Sequence, residues 1–269
     1  MADTVRVTRD TRGVATLWLA RPDKHNALSE QMIDDLTRAA QALGADDTVR
    51  VVVLAAEGQS FCAGGDLGWM RAQMAADAPT RAAGARRLAL MLRALDHLPK
   101  PLVGRVQGNA FGGGLGLMSV CDVAVAADTA RFGLTETRLG LIPATIGPYV
   151  VARMGAARAR RVFFSSRVFD APEAVTLGLV ARAVAPDMLD AAVEAEVAPY
   201  LSCAPGALAE AKALVRQLTA PIDDAVVEAT IAALVARWES AEAAEGIAAF
   251  FDRREASWTG PRPERPVRS

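Results

Sequence analysis

The chain has 269 residues, 52% of them hydrophobic and 23% charged, and its 30 Lys/Arg against 31 Asp/Glu leave a formal net charge of -1. Such a chain is long enough to bury a large core, and its charge balance argues against nucleic acid or an anionic membrane surface as partner. Cys62, Cys121 and Cys203 are widely spaced and form no CxxC or Cys/His pattern, so no metal site is expected, and a reducing, cytoplasmic compartment is.

The opening segment, MADTVRVTRDTRG, is polar and lacks the apolar stretch of a secretory signal. No apolar run reaches the ~18 residues of a membrane span. VATLWLA, from Val14 to Ala20, is apolar and β-prone and predicts a strand. In LSEQMIDDLTRAAQALG, Ser29 suits a helix N-cap, Met32, Ile33, Leu36, Ala40 and Leu43 share one helical face, and Gly44 is expected to end the helix. VRVVVLAAEG is a continuous β-branched run, as expected of a buried parallel strand. A helix is expected from about Pro79 to His97, with His97 capping its end before Pro99 and Pro101. LVGRVQG and DVAVAA predict two further strands on either side of a glycine run, and PEAVTLGLV predicts a helix ending at Gly178 followed by a brief strand. From about Pro186 the pattern is almost entirely helical, and the Pro/Arg-rich tail WTGPRPERPVRS is expected to be disordered. Strands alternating with helices argue an α/β fold.

The glycine run FGGGLGLMSVCD places Gly112, Gly113, Gly114 and Gly116 in a segment otherwise built to be buried. Glycine admits a close backbone approach, and a glycine turn leading into a helix aims several N–H groups at one point. Neither GxGxxG nor GxxxxGK[ST] is present, which excludes the usual phosphate loops. A second such turn, GQSFCAGGDLGWM, follows the strand VRVVVLAAEG. One N–H from each turn would make a two-donor oxyanion hole, a site that needs no functional side chain.

RPDKHNALS, FCAGGDLGWM, GNAFGGGLGLMSVCDVAVAADTARFGLTETRLGLIP and FFDRREASWTG, in this order, resemble the enoyl-CoA hydratase/isomerase (crotonase) superfamily. The resemblance implies a spiral of ββα units over residues 1–200 with an acyl-CoA site, and a helical trimerisation region over residues 201–269. It implies homotrimers or homohexamers, no cofactor beyond the coenzyme A of the substrate, and a thioester oxygen held by the N–H groups of Gly65 and Gly113. It places coenzyme A along Lys24, Ala27, Ala63, Asp66, Leu67 and Gly68. The apolar stripe Val226, Val227, Ile231, Leu234 and Val235 is then expected to face a neighbouring subunit.

In two-glutamate hydratases of this family, one glutamate matches Glu136 and the other matches Gly116. Glu136 is therefore expected to be the sole catalytic acid/base, with Thr135 and Thr137 able to hold a water or orient it. A glutamate restored at position 116 is expected to face the reacting carbon from the opposite side. The segment GLIPATIGPYVVARMG is similar to bacterial methylglutaconyl-CoA and isohexenylglutaconyl-CoA hydratases, whose substrates carry an extra carboxylate; Arg138 is a candidate partner for it. The expected activity is hydration of an α,β-enoyl-CoA thioester. One base also suffices for double-bond isomerisation, and a member that binds acyl-CoA without turnover is the third alternative.

Overall fold

The computed structural model describes residues 4–259, so residues 260–269 of the expected disordered tail lie outside it. A six-stranded sheet has the order β1 (Val5–Arg9), β2 (Val14–Leu19), β3 (Val51–Ala56), β5 (Leu102–Val106), β7 (Val123–Ala127) and β10 (Arg182–Val184). A four-stranded sheet has the order β4 (Ser60–Cys62), β6 (Asn109–Phe111), β8 (Arg131–Gly133) and β9 (Phe169–Asp170). β3, β5 and β7 are each followed within a few residues by β4, β6 and β8. The chain thus lays one strand in each sheet per turn, the spiral of ββα units expected of the crotonase fold. Pairing is parallel except at the edges, β1 with β2 and β8 with β9.

The helices between the strands are α1 (Glu30–Ala45), α2 (Leu67–Ala75), α3 (Ala78–Asp96), α4 (Gly113–Ser119), α5 (Gly147–Met154), α6 (Ala156–Phe163) and α7 (Ala171–Thr176). The chain ends in α8 (Leu189–Leu201), α9 (Pro205–Gln217), α10 (Asp224–Trp238) and α11 (Ala241–Asp252). All residues of β3 are buried, which is why its sequence is continuously apolar rather than alternating. Ser29 caps α1, its hydroxyl accepting from the Met32 N–H at 3.3 Å, and His97 caps α3.

Several boundaries differ from the sequence reading. β1 lies in the polar opening segment and forms an exposed edge whose Arg6 and Arg9 guard it against further pairing. α1 continues past Gly44 to Ala45, because Asp46 in an extended conformation, not a left-handed glycine, ends it. Gly178 (φ 78°) follows α7 as expected, but the strand after it forms at β10, two residues later than LGLV.

The C-terminal stripe is also corrected. Val227 and Ile231 are buried against Ala85 and Ala89 of α3 within the same chain, with Leu234 and Val235 packed beside them. The exposed large apolar side chains of this region include Leu214 and Val215 on α9, Leu218 at its C-cap, Phe250 on α11 and Trp258 beyond it. α8 covers the sheet face opposite the main core, with Leu189, Val193 and Val197 on Val51, Val53, Val103 and Val125. Among the described residues no helix is long and apolar enough to cross a membrane.

Candidate active site

Two glycine turns lie side by side where β4 and β6 end. Gly64 (φ 94°) leaves β4 and Gly112 (φ 48°) leaves β6, both in the left-handed region that penalises any residue with a Cβ. A Cβ at Gly64 would sit 3.2 Å from the Phe111 carbonyl oxygen and 3.9 Å from Gly112 Cα, so the turns touch through bare backbone. Leu28 ties the first turn down: its N–H donates to the Gly64 carbonyl at 2.7 Å and its carbonyl accepts from Asp66 N–H at 3.0 Å. Between those bonds, the Gly65 N–H has no acceptor among the described residues. The Gly113 N–H has none either, since Gly113 is the first residue of α4 and a first-turn donor has no partner within its helix.

Glu136 approaches these turns from β8. It opens a single 3-10 turn, Glu136–Leu139, and a Cβ at Gly112 would come within 3.0 Å of its Oε1. Its Oε2 is fully shielded from solvent and has no protein partner. Burial of an unpaired carboxyl disfavours the ionised form, and raises the pKa from 4.5 to about 7; a bond from its own backbone N–H opposes the rise.

Both turns and Glu136 line one cleft of about 460 Å³. Its remaining wall is largely apolar, with Trp69 and Met70 from α2, Ile142 and Ile146 before α5, and Trp238 and Phe250 from α10 and α11. Among the described residues, Glu136 is the only acid on its lining and Arg138 the only base. Arg138 is exposed and has no carboxylate partner among the described residues.

Of the residues predicted from sequence, Glu136, Gly65, Gly113, Ala63 and Leu67 meet on this lining, whereas Lys24, Ala27, Asp66 and Gly68 do not. Lys24 is exposed in the neighbouring loop, which is joined to the first glycine turn by the Ala63 N–H donating to the His25 carbonyl at 3.0 Å. Ala27 is buried, and its carbonyl accepts from Arg21. Asp66 has structural work: Oδ1 caps α2 through the Gly68 and Trp69 N–H groups, and Oδ2 pairs with Arg21 at 3.0 Å. Thr137 is turned away from the cleft, bonding Ser166 and the Phe164 carbonyl, so it does not orient Glu136.

Gly116 departs most from expectation. It is buried and off the cleft lining, and a Cβ there would meet Ile146 Cγ2 at 2.7 Å and Cβ at 3.1 Å. Ile146 itself lines the cleft, so the space beside position 116 on that side is already filled with hydrocarbon.

The model of the enoyl-CoA hydratase/isomerase family matches residues 9–261 of this chain. The chain belongs to the enoyl-CoA hydratase/isomerase family. An enoyl-CoA hydratase of Alternaria alternata is 36% identical over 209 residues, 76% of this chain and 67% of that one. The crystal structure of an enoyl-CoA hydratase from Shewanella pealeana superposes with a TM-score of 0.78 at 38% identity, covering 95% of this chain and 96% of that one. Pseudomonas aeruginosa AtuE superposes with a TM-score of 0.78 at 36% identity, covering 96% of this chain and all of that one. In this enoyl-CoA hydratase/isomerase family member, the C-terminal helices supply cleft residues that the sequence reading did not place there. The adjacent pair Phe250–Phe251 carried the signal. Neighbours on a helix point about 100° apart, so one faces elsewhere than its partner. Phe251 lies under the Arg71 guanidinium at 4.4 Å, and Phe250 lines the cleft.

Proposed function

We propose that the protein is a hydratase adding water across the α,β double bond of an acyl-CoA thioester, with Glu136 as its sole acid/base. The observation that carries this reading is the position of the Glu136 carboxyl, its Oε2 without a protein partner, beside two glycine turns whose N–H groups at Gly65 and Gly113 are unengaged among the described residues. The thioester oxygen would accept from both N–H groups, each worth roughly 10²–10³ in rate as enolate charge develops. Glu136 takes a proton from the attacking water as oxygen bonds to Cβ, then delivers it to Cα as the enolate collapses. Coenzyme A would leave the cleft past Ala63 and Leu67 toward the loop that bears Lys24.

The substrate class favoured is a glutaconyl-type thioester, with a second carboxylate beyond the double bond. Arg138, two residues from Glu136 and without an anionic partner among the described residues, would receive it. Arg138→Gln is expected to raise KM for 3-methylglutaconyl-CoA by up to roughly fivefold, the scale of a solvent-exposed ion pair, and to leave crotonyl-CoA unchanged. Equal effects on both substrates would remove Arg138 from acyl recognition.

A second reading, Δ3,Δ2-isomerisation, has one observation in its favour: among the described residues no second acid lines the cleft. One carboxylate suffices to remove a proton from C2 and return it to C4. Mass analysis of products from crotonyl-CoA, 3-methylglutaconyl-CoA and a 3-enoyl-CoA separates the two. Gain of water supports hydration, a moved double bond at constant mass supports isomerisation, and binding without either supports a non-catalytic member. We propose further that the exposed Leu214, Val215 and Leu218 are covered in a homotrimer or dimer of trimers, to be checked by light scattering.

A further inference from the structure

Glu136 sits on an element that cannot hold itself in place. A 3-10 turn of four residues has poor hydrogen-bond geometry and no helical cooperativity. Beyond it, Gly140 (φ 71°) leaves a carbonyl at the turn's C-terminal end with no helix to continue into. That carbonyl accepts two hydrogen bonds from Arg237, in the last turn of α10, at 2.8 Å from Nε and 2.6 Å from Nη2. The same guanidinium pairs with Glu242 at the start of α11 at 2.7 Å.

α11 then presses on the turn with no side chain between. A Cβ at Gly246 would lie 2.6 Å from the Leu139 carbonyl carbon, and one at Gly140 would lie 2.5 Å from the carbonyl of Glu242. Leu141, Trp238, Ala243 and Ile247 seal this contact in an apolar cluster separate from the main core. The outer half of the turn is therefore built by residues about 100 positions later in the chain (97 between Gly140 and Arg237).

We propose that Arg237 is a positioning residue for Glu136, fixing the carboxyl against the glycine turns by clamping the Gly140 carbonyl to the junction of α10 and α11. The proposal rests on the catalytic role read for Glu136. A charge-assisted, two-pronged bond is among the strongest a protein offers a carbonyl, and among the described residues no other side chain donates to this one.

The test uses Arg237→Met, Arg237→Lys and, as control, Glu242→Gln, which removes the α10–α11 ion pair but leaves the Gly140 bonds. Steady-state kinetics on crotonyl-CoA are read together with amide hydrogen exchange. Arg237→Met is expected to lower kcat roughly 10- to 100-fold, the scale of a misplaced catalytic group, with KM within about twofold because the N–H donors are untouched. Arg237→Lys, with a cation but no fork, is expected to recover part of kcat, and Glu242→Gln nearly all of it. Exchange is expected to quicken at Arg138, Gly140 and Leu141, whose N–H groups are bonded within the turn, while α10 and α11 stay protected. Unchanged exchange in the turn overturns the clamp, as does exchange that quickens throughout α10 and α11. Unchanged kcat, or kcat and KM lost together, overturns the positioning role. If the unmodified protein turns over no enoyl-CoA, the functional reading falls by itself and exchange still decides the clamp.

Discussion

Glu136→Gln is expected to abolish turnover while leaving acyl-CoA binding intact, and to make the protein more stable at pH 8 than the unmodified chain. The first part follows because glutamine keeps the shape of the side chain but cannot cycle a proton, and no other acid among the described residues lines the cleft. The second follows from burial. The folded protein holds the Glu136 carboxyl at a pKa of about 7, against 4.5 in an ordinary setting, so between those values the folded state binds more protons than the unfolded state. Stability must then fall as pH rises from about 4.5 to about 7 and stay level above that. The rise corresponds to on the order of 3 kcal/mol. The variant escapes this loss, so its advantage should be small at pH 5 and approach the full amount at pH 8, read by urea unfolding at the two pH values. Equal stability at both would show that Oε2 is solvated or paired. For the unmodified enzyme, kcat/KM for hydration should rise through one limb near pH 7, since only the ionised carboxyl can take a proton from water.

How much of this was legible before the fold was known depends on the length scale of the signal. β3 is six buried residues of valine, leucine and alanine, and a run of that kind reads as a parallel strand from composition alone. β4 and β6 are three residues each, too short for any period to register, so they were invisible although their ends build the site; β8 was legible in the strand-like ARFGL ahead of Glu136. Gly64 and Gly112 were legible as special because a left-handed backbone at a strand end leaves few alternatives to glycine. Gly116 resembles them in sequence but has a different cause: its Cβ is excluded by a side chain, Ile146, thirty residues away. Val227 and Ile231 likewise announce an apolar face without saying what covers it, and the answer, α3, lies on the same chain.

Gly116→Glu is expected to damage the protein rather than add a second acid, because position 116 and Ile146 compete for one volume. The new Cβ alone would lie 2.7 Å from Ile146 Cγ2, with Leu92 Cδ2 at 3.5 Å behind it. Overpacking of this kind costs roughly 1–3 kcal/mol, and a carboxyl forced into hydrocarbon without a partner adds to it. The unfolding midpoint should drop, and crotonyl-CoA hydration should fall with it as Ile146 is pushed across the cleft toward Glu136. Ile146→Gly alone should leave a cavity and cost on the order of 2–5 kcal/mol, as buried truncations of this size do. The double variant Gly116→Glu/Ile146→Gly should recover stability relative to either single change, since the glutamate then fills the space the isoleucine left; a non-additive cycle is the signature of two residues sharing one site. In that double variant the carboxyl gains a path to the cleft opposite Glu136, and hydration of crotonyl-CoA should exceed that of Gly116→Glu. A substrate carrying its own carboxylate should bind it less well, because two like charges would meet in a dry pocket. Strict additivity of the two changes, with the midpoint of the double variant below both singles, would place Ile146 elsewhere than between position 116 and the reacting carbon.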